Sequence, residues 1–314
     1  MARERKNIDM ETFLVTILVL IPIAFSNDVT PIPADASQVQ SWFNQHVQPL
    51  SARMGTVDPA LANAEASVKV IRVAKDGTGN FNNIKAALSS IPQDNKNRII
   101  IRIGPGTYKE RIKVEWTKPF VTFYGDPNNM PLLVSEGNAN TYGTMDSATL
   151  IVEADYFSAV NVMIQNTSPR PTGKPKQQAL AMRIAADKAS FYNCKFFGFQ
   201  DTLCDNFGKH FYKDCYIEGT VDFIFGDGKS IYLNCEFHVI PGDQMAMIAA
   251  QSGGRKAEDE GFSMVHCKVT GTGGIAYLGR AWMRYPKVVY SYCHLSDVVQ
   301  KEGWFNSRNN ANNA

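Results

Sequence analysis

The sequence FYNCKF at residues 191–196 returns as YKDCYI at 212–217 and as YLNCEF at 232–237. The cysteines of these copies lie 21 and 20 residues apart, and looser copies occur at 265–269 and 291–295. Aromatic and β-branched residues bounded by Gly, Asn or Asp indicate short strands and turns. A fixed period of this length is typical of stacked repeats. The sequence therefore predicts an all-β fold, a parallel β-helix in which equivalent side chains stack on adjacent coils.

Composition and charge narrow the class of protein. The 314 residues contain 44% apolar and 20% charged side chains, which is typical of a large globular domain. The net charge of +2 is too small to indicate nucleic-acid binding, although it tolerates a polyanionic substrate. No cysteine or histidine motif has the spacing of a structural zinc site, so we expect neither a metal nor another cofactor.

The six cysteines have two interpretations. Those of the repeat occupy equivalent positions beside aromatic residues, where a free cysteine behaves as a small buried hydrophobe. The spacing of adjacent coils would also permit a disulfide bridge. We favour buried thiols.

The chain divides into four predicted segments. Residues 1–26 contain basic residues, an apolar run and small residues, which predicts a secretory signal peptide rather than a membrane anchor. Residues 27–66 form an N-terminal helical extension, and residues 67–304 form the β-helix catalytic domain. Residues 305–314 are rich in Asn and lack core-forming side chains, so we expect a disordered tail. One glycosylation sequon begins at Asn166.

Two aspartates carry the strongest functional signal. Asp201 in GFQDTL and Asp222 in DFIFG lie in apolar, glycine-bounded segments, where an ionised carboxylate is costly unless something uses or pairs it. Their separation of 21 residues matches the repeat, so we expect the two carboxyl groups to stack on adjacent coils. Gln178 precedes Asp201 by 23 residues, which places its amide on the same face one coil earlier.

This set of side chains suits acyl transfer. The motif LGRAW supplies Arg280 and Trp282 further along the chain. Two adjacent carboxyl groups cannot both ionise cheaply, so we expect the one beside Arg280 to stay charged and the other to stay protonated. One carboxylate then attacks a carbonyl carbon, the other donates a proton to the leaving group, and amide N–H groups bind the oxyanion.

Five motifs, taken in order, resemble those of the plant pectin methylesterases. They are GTYKE at 106–110, QALA at 178–181, GFQDTL at 198–203, DFIFG at 222–226 and LGRAW at 278–282. The set is highly specific, and the resemblance covers about residues 68–304. The stretch VTPIP at 29–33 is similar to the pollen-type members. The resemblance implies a right-handed, single-stranded parallel β-helix with short N-terminal helices that removes methyl esters from homogalacturonan pectin.

The resemblance also implies a role for individual residues. Asp222 corresponds to the nucleophile, and Asp201 corresponds to the acid that later acts as a base. Gln178 and Gln200 correspond to the oxyanion donors.

Four positions correspond to substrate contacts in the family. They are Thr144, Gln178, Arg280 and Trp282, of which Arg280 also orients Asp222. The implied partners are methyl-esterified homogalacturonan and a proteinaceous pectin methylesterase inhibitor. We expect a secreted monomer of the cell wall that binds neither nucleic acid nor membranes.

The sequence departs from the family pattern in three places. The chain ends soon after Trp304, where the family continues through further strands and a helix. Ala281 replaces the commoner Pro in the LGRPW motif. Residues 27–66 are too short for the inhibitor-like pro-domain of many plant members, so we expect a form without it.

Two other functions stay open. Paired carboxylates also cleave glycosidic bonds, which makes a glycoside hydrolase on the same polymer an alternative. The Gly-His-Gly element of the β-helical polygalacturonases is absent, however, and glutamine donors suit an acyl oxyanion better. The second alternative is a catalytically weak or inactive truncated paralogue that binds pectin.

Overall fold

The computed structural model describes residues 31–53, 55–241, 245–253, 260–272 and 275–306. The chain separates into two compact units, residues 1–49 and 50–314. The predicted signal peptide and the last eight residues of the predicted tail lie outside the described residues. Within the described residues, no helix is long and apolar enough to cross a membrane.

The helices within the described residues are short and lie near the N-terminus or in one connection. The α-helices are Ala36–His46 in the first unit and, in the second unit, Pro59–Glu65, Ile84–Ser89 and Ala139–Tyr142. The 3-10 turns are Leu50–Ala52 and Met145–Ser147. Asp58 caps the second α-helix by accepting from the Ala60 N–H, and the next residue is a proline that is pre-organised for a first turn. The predicted short N-terminal helices are therefore present.

Three parallel sheets, here called A, B and C, form the second unit. Sheet A contains Lys69–Val73, Ile99–Ile103, Val121–Tyr124, Ser158–Val160, Ala189–Tyr192, Lys209–Lys213, Lys229–Leu233, Gly261–Val265 and Val288–Ser291. Sheet B contains Thr107–Lys109, Leu132–Ser135, Met163–Asn166, Lys195–Phe197, Tyr216–Gly219, Glu236–Val239, Lys268–Gly271 and His294–Leu295. Sheet C contains Ile112–Val114, Leu150–Val152, Met182–Ala185, Leu203–Phe207, Ile224–Gly226, Ala246–Gln251, Ala276–Arg280 and Trp304–Phe305. From Ile99–Ile103 onward the chain visits A, B and C in turn on each coil, which confirms the predicted parallel β-helix.

The repeated cysteine motif marks the bend from sheet A to sheet B. The residue before the cysteine is in the left-handed region in successive copies, at Asn193 (φ 48°), Asp214 (φ 56°) and Asn234 (φ 54°). Asn and Asp tolerate this conformation better than most side chains do. The Asn193 amide also donates to the Asn161 side chain of the preceding coil, at 2.8 Å. The Asn or Asp of each repeat therefore sets the bend and joins neighbouring coils.

Aromatic rings and thiols fill the interior of the coils. The Phe191 and Tyr212 rings stack with centroids 4.7 Å apart, and Tyr212 stacks on Tyr232 at 4.5 Å. Such stacks add to the hydrophobic gain from burial. Cys194 and Cys215 lie beside them, and all six cysteines of the chain are unpaired. The structure therefore agrees with the buried-thiol interpretation and not with disulfides.

A buried polar cluster around Asp205 interrupts this apolar interior. The Asp205 side chain is fully buried, and its oxygens accept from the Tyr232 hydroxyl at 2.6 Å and lie 2.5 Å from the His210 ring. The other His210 ring nitrogen lies 2.7 Å from the Ala186 carbonyl. A buried carboxylate needs such partners, because an unpaired one loses its hydration without compensation.

Two stacked tyrosines provide a matched test of this cluster. We expect Tyr232→Phe to lower the free energy of unfolding by about 1–3 kcal/mol, because it leaves the buried Asp205 carboxylate short of a donor. Tyr212→Phe removes a buried hydroxyl that has no hydrogen-bond partner among the described residues, so it should be neutral or slightly stabilising. Chemical denaturation of both variants measures the difference. Equal losses would mean that the hydrogen bond from Tyr232 to Asp205 does not determine the effect.

Candidate active site

Five of the predicted site residues lie in equivalent connections of successive coils. Each lies on the connection from a sheet B strand to a sheet C strand, which we call the B–C corner: Thr144, Gln178, Gln200, Asp201 and Asp222. Arg280 ends a sheet C strand, and Trp282 follows it. The fold therefore brings the predicted residues to one side of the β-helix.

Parallel pairing aligns the two aspartates. Leu203 pairs with Ile224, and Asp201 and Asp222 each stand two residues before these partners. The Asp201 N–H donates to the Val221 carbonyl at 3.0 Å, so the pairing extends into the corner. The two aspartates therefore occupy equivalent positions on adjacent coils.

Both aspartates have a left-handed backbone. The φ angle is 66° at Asp201 and 51° at Asp222, in a region where side chains other than Gly are uncommon. The side chains are also largely buried, with 8% and 7% of each residue exposed. The corner thus turns both carboxyl groups away from the continuous strand and into a largely desolvated position.

Arg280 forms a bidentate ion pair with Asp222. Its Nε donates to Oδ1 at 2.8 Å and its Nη2 donates to Oδ2 at 2.5 Å. Hydrogen bonding to Asp222 raises the pKa of Arg280 although burial opposes this, so the guanidinium stays charged. Two parallel charge-assisted bonds fix both the charge and the orientation of a carboxylate.

Asp201 is in a different environment. Burial raises the pKa of Asp201 well above its ordinary range, the neighbouring charge of Asp222 raises it further, and Arg280 opposes the shift. Among the described residues, no hydrogen bond reaches the Asp201 carboxyl oxygens. The protonated form of Asp201 is therefore favoured beside a charged Asp222, which is the arrangement that an acid and a nucleophile require.

The amide side chains of Gln178 and Gln200 are available as donors. Both residues are half-buried, and in the described part of the chain neither amide side chain has a hydrogen-bond partner. Their backbones are fixed, since the Ala179 N–H donates to the Gln200 carbonyl at 3.3 Å. Two positioned N–H donors beside a carboxylate pair can bind a developing oxyanion.

An apolar cluster covers the outer face of sheet C beside these groups. Its buried members are Ala148, Ile151, Leu180, Cys204, Phe225 and Ala250. The Trp282 ring lies 5.4 Å from the Phe225 ring and is 37% exposed, so it presents an aromatic face to solvent next to the aspartates. The sequence does not reveal this cluster, because its members come from separate coils. Phe223, in contrast, is fully buried in the interior, as expected for an ordinary core residue.

The chain is similar to known proteins of one family. The pectinesterase family profile matches residues 70–313. The chain is 56% identical to Pectinesterase 2 of Olea europaea over 299 residues, which cover 95% of the chain and 82% of that protein. It is 53% identical to Probable pectinesterase 49 of Arabidopsis thaliana over 94% of the chain and 82% of that protein. The chain belongs to the pectinesterase family.

Solved structures agree with this assignment. Pectin methylesterase from carrot superposes with a TM-score of 0.71 at 30% identity and covers 76% of this pectinesterase and 77% of the carrot chain. The pectin methylesterase from Aspergillus niger gives a TM-score of 0.69 at 27% identity over 77% of this chain and 81% of its own. The family and the fold predicted from the motifs are thus confirmed. The pollen-type subgroup and the missing pro-domain stay predictions.

Asn166 has a structural role in this pectinesterase that could not be predicted from the sequence. The residue begins the glycosylation sequon, yet it is only 3% exposed. Its Nδ2 donates to the carbonyls of Gly137 at 2.8 Å, Ser147 at 3.2 Å and Leu180 at 2.9 Å, and its Oδ1 accepts from Ser168 N–H. A single amide therefore joins the corner that carries Thr144 to the corner that carries Gln178.

We expect Asn166→Asp to destabilise the pectinesterase by about 3 kcal/mol or more, because a buried carboxylate would face three carbonyl oxygens instead of donating to them. Thermal unfolding measures the loss. Thr167→Val is the matched control: it removes the sequon's exposed middle side chain, whose hydroxyl donates only to Ser135 O, and should cost far less. Similar losses in both variants would contradict a special role for Asn166.

Proposed function

We propose that this pectinesterase removes methyl esters from homogalacturonan pectin and releases methanol, with Asp222 as the nucleophile and Asp201 as the acid and base. One observation carries the proposal. A carboxylate held by a bidentate arginine lies on the coil next to a buried carboxyl group whose pKa is raised. The two groups thus differ in protonation as nucleophile and general acid must.

The first step is acylation of Asp222. Its carboxylate oxygen attacks the methyl ester carbonyl, and the amides of Gln178 and Gln200 donate to the resulting oxyanion. The tetrahedral intermediate collapses by breaking the bond to methoxide. Asp201 gives its proton to this leaving group, so methanol departs, Asp201 becomes a carboxylate, and Asp222 is joined to the sugar acid as an anhydride.

The second step is hydrolysis of this anhydride. The Asp201 carboxylate takes a proton from a water molecule while the water oxygen attacks the acyl carbon. The bond to Asp222 breaks, and its carboxylate returns to the ion pair with Arg280. Asp201 is protonated again, and the galacturonic acid product loses its own proton to solvent.

Substrate contacts are assigned to Thr144, Gln178, Arg280 and Trp282. The half-exposed Trp282 ring beside the apolar cluster offers a flat surface for a sugar ring. Thr144 lies in the connection that ends at Leu150, and its own side chain does not cap the adjacent 3-10 turn. A solved pectin methylesterase that shares this fold at 24% identity was obtained in complex with a hexasaccharide, which supports a groove for several sugar units.

Several finer expectations belong to the same proposal. We infer that residues 1–26 direct secretion to the cell wall and that 27–66 precede a catalytic domain at 67–304. The tail predicted at 305–314 begins after Phe305, because Phe305 pairs with Arg280 in sheet C. We also infer that the enzyme acts as a monomer and is recognised by a proteinaceous inhibitor. The family profile, which matches residues 70–313, supports the position of the catalytic domain.

The nucleophile is tested by Asp222→Asn. We expect methanol release from methyl-esterified homogalacturonan to fall by at least about 1,000-fold, because an amide cannot form the acyl-enzyme. The control is Asp297→Asn, which neutralises an exposed aspartate and should keep full activity. Turnover by Asp222→Asn would overturn the assignment. New reducing ends from the unmodified enzyme would indicate a glycoside hydrolase, and binding without either product would indicate an inactive paralogue.

The acid is tested by the pH dependence of stability. Because the folded state raises the pKa of Asp201 above the unfolded value near 3.8, its contribution is most favourable below that pH and is lost as pH rises toward the folded pKa. The Asp201→Asn variant has no carboxyl group at this position, so it does not lose stability in this way as the pH rises. We therefore expect the variant to gain stability relative to the unmodified protein as pH increases from about 4 to 8, while methanol release is lost. Thermal unfolding across this range measures the gain, and a constant difference would contradict it.

A further inference from the structure

A cationic segment lies on the same side of the β-helix as the proposed active site, and the proposed mechanism gives it no role. Residues 170–176 read RPTGKPK, and we call them the basic corner loop. The loop carries Arg170, Lys174 and Lys176 and no acidic residue. It lies on the B–C corner of the coil that precedes Asp201, in the connection that leads to Gln178. The loop therefore occupies the same corner as the catalytic aspartates, one coil before Asp201 and two coils before Asp222.

The loop has a fixed shape and faces the next coil. The Gln177 side-chain oxygen accepts from the Thr172 N–H at 2.8 Å and from the Lys174 N–H at 3.0 Å, which holds the turn. The Arg170 guanidinium lies over the Phe199 ring, 5.0 Å from its centroid. Phe199 stands two residues before Asp201 on the next B–C corner, so this contact attaches the cationic loop to the coil that carries Asp201.

Among the described residues, no acidic side chain pairs with the three cations of the loop. Other basic side chains near the site are paired, as Arg280 is with Asp222 and Arg183 is with Asp146. In contrast, Arg170, Lys174 and Lys176 are exposed and take part in none of the ion pairs between described residues. A cluster of unpaired cations raises the local concentration of anionic ligands.

We propose that the basic corner loop binds the free carboxylates of galacturonate units that are already de-esterified and that flank the reacting ester. This inference rests on the proposed function, since each turnover converts an ester of the polymer into a carboxylate. The anion is then displayed on the same chain as the remaining esters. Arg170 can hold a carboxylate with two parallel bonds, and the lysines add charge. The loop would make the enzyme favour esters that lie beside earlier products.

The test compares two substrates and two triple variants. One variant carries Arg170→Gln, Lys174→Gln and Lys176→Gln. The control carries the same change of charge at exposed lysines of other parts of the β-helix unit, with Lys69→Gln, Lys96→Gln and Lys209→Gln. Methanol release is measured as kcat/KM on fully methyl-esterified homogalacturonan and on homogalacturonan with about half of its esters removed at random, at low and at high salt.

We expect the loop variant to lose about tenfold in kcat/KM per ester on the partly de-esterified polymer at low salt, from three exposed ion pairs. On the fully esterified polymer it should stay within about twofold of the unmodified enzyme, because no carboxylate is present to bind. High salt should remove the difference between variant and parent. The control variant should resemble the parent on both substrates. Equal losses on both substrates, or no loss on either, would overturn the proposal.

A binding measurement separates this proposal from the esterase mechanism. The Asp222→Asn protein, with and without the three loop substitutions, is titrated with an unesterified oligogalacturonate. We expect about tenfold weaker binding without the loop cations, and equal affinity would overturn the loop assignment. Because no ester is cleaved in this experiment, its result does not depend on whether Asp222 is the nucleophile.

Discussion

Parallel pairing between successive coils is the constraint on which both the fold and the site depend. Residues with the same place in the repeat lie above one another, so the pairing of Leu203 with Ile224 also sets where Asp201 and Asp222 stand. A register shift of one residue would turn every side chain of a strand to the other face and separate the aspartates. The left-handed residue before each repeat cysteine protects against such a shift, because it fixes where one strand ends and the next begins.

The same stacking produces two unlike carboxyl groups from two equivalent positions. Arg280 ends the sheet C strand two coils beyond Asp222, and its guanidinium binds the Asp222 carboxylate. Asp201 lies one coil further from Arg280, so the guanidinium opposes the rise in the pKa of Asp201 less strongly than burial and Asp222 promote it. Burial without a hydrogen-bond partner then decides the state of Asp201. The protein accepts the cost of a desolvated carboxyl group there, which is the usual relation between local stability and a reactive site.

The sequence predicts the parts of this structure that repeat. The FYNCKF copies predict the β-helix, and the 21-residue separation places Asp201 and Asp222 on adjacent coils. Features that do not repeat could not be found in this way. Asn166 binds three carbonyl groups on two B–C corners, and Asp205 is satisfied by His210 and a tyrosine of the next coil. The sequon that begins at Asn166 does not predict these bonds, because its pattern contains no information about burial.

The B–C corners differ in length, and short and long corners carry different parts of the site. The corners that carry Asp201 and Asp222 have five and four residues between strands, whereas the two preceding corners have fourteen and fifteen. A short connection between paired strands has little conformational freedom, so it suits groups that must stay aligned with a reacting carbonyl. A longer connection can extend outward in its earlier part, where it forms walls and carries charge, while its end at Gln178 is held by the hydrogen bond from Ala179 N–H to the Gln200 carbonyl. Asn166 joins the two long corners from below, at Gly137, Ser147 and Leu180, and so ties these walls to the rigid coils. Variation in the long corners can therefore change which polymer is bound, while the carboxyl pair keeps its geometry.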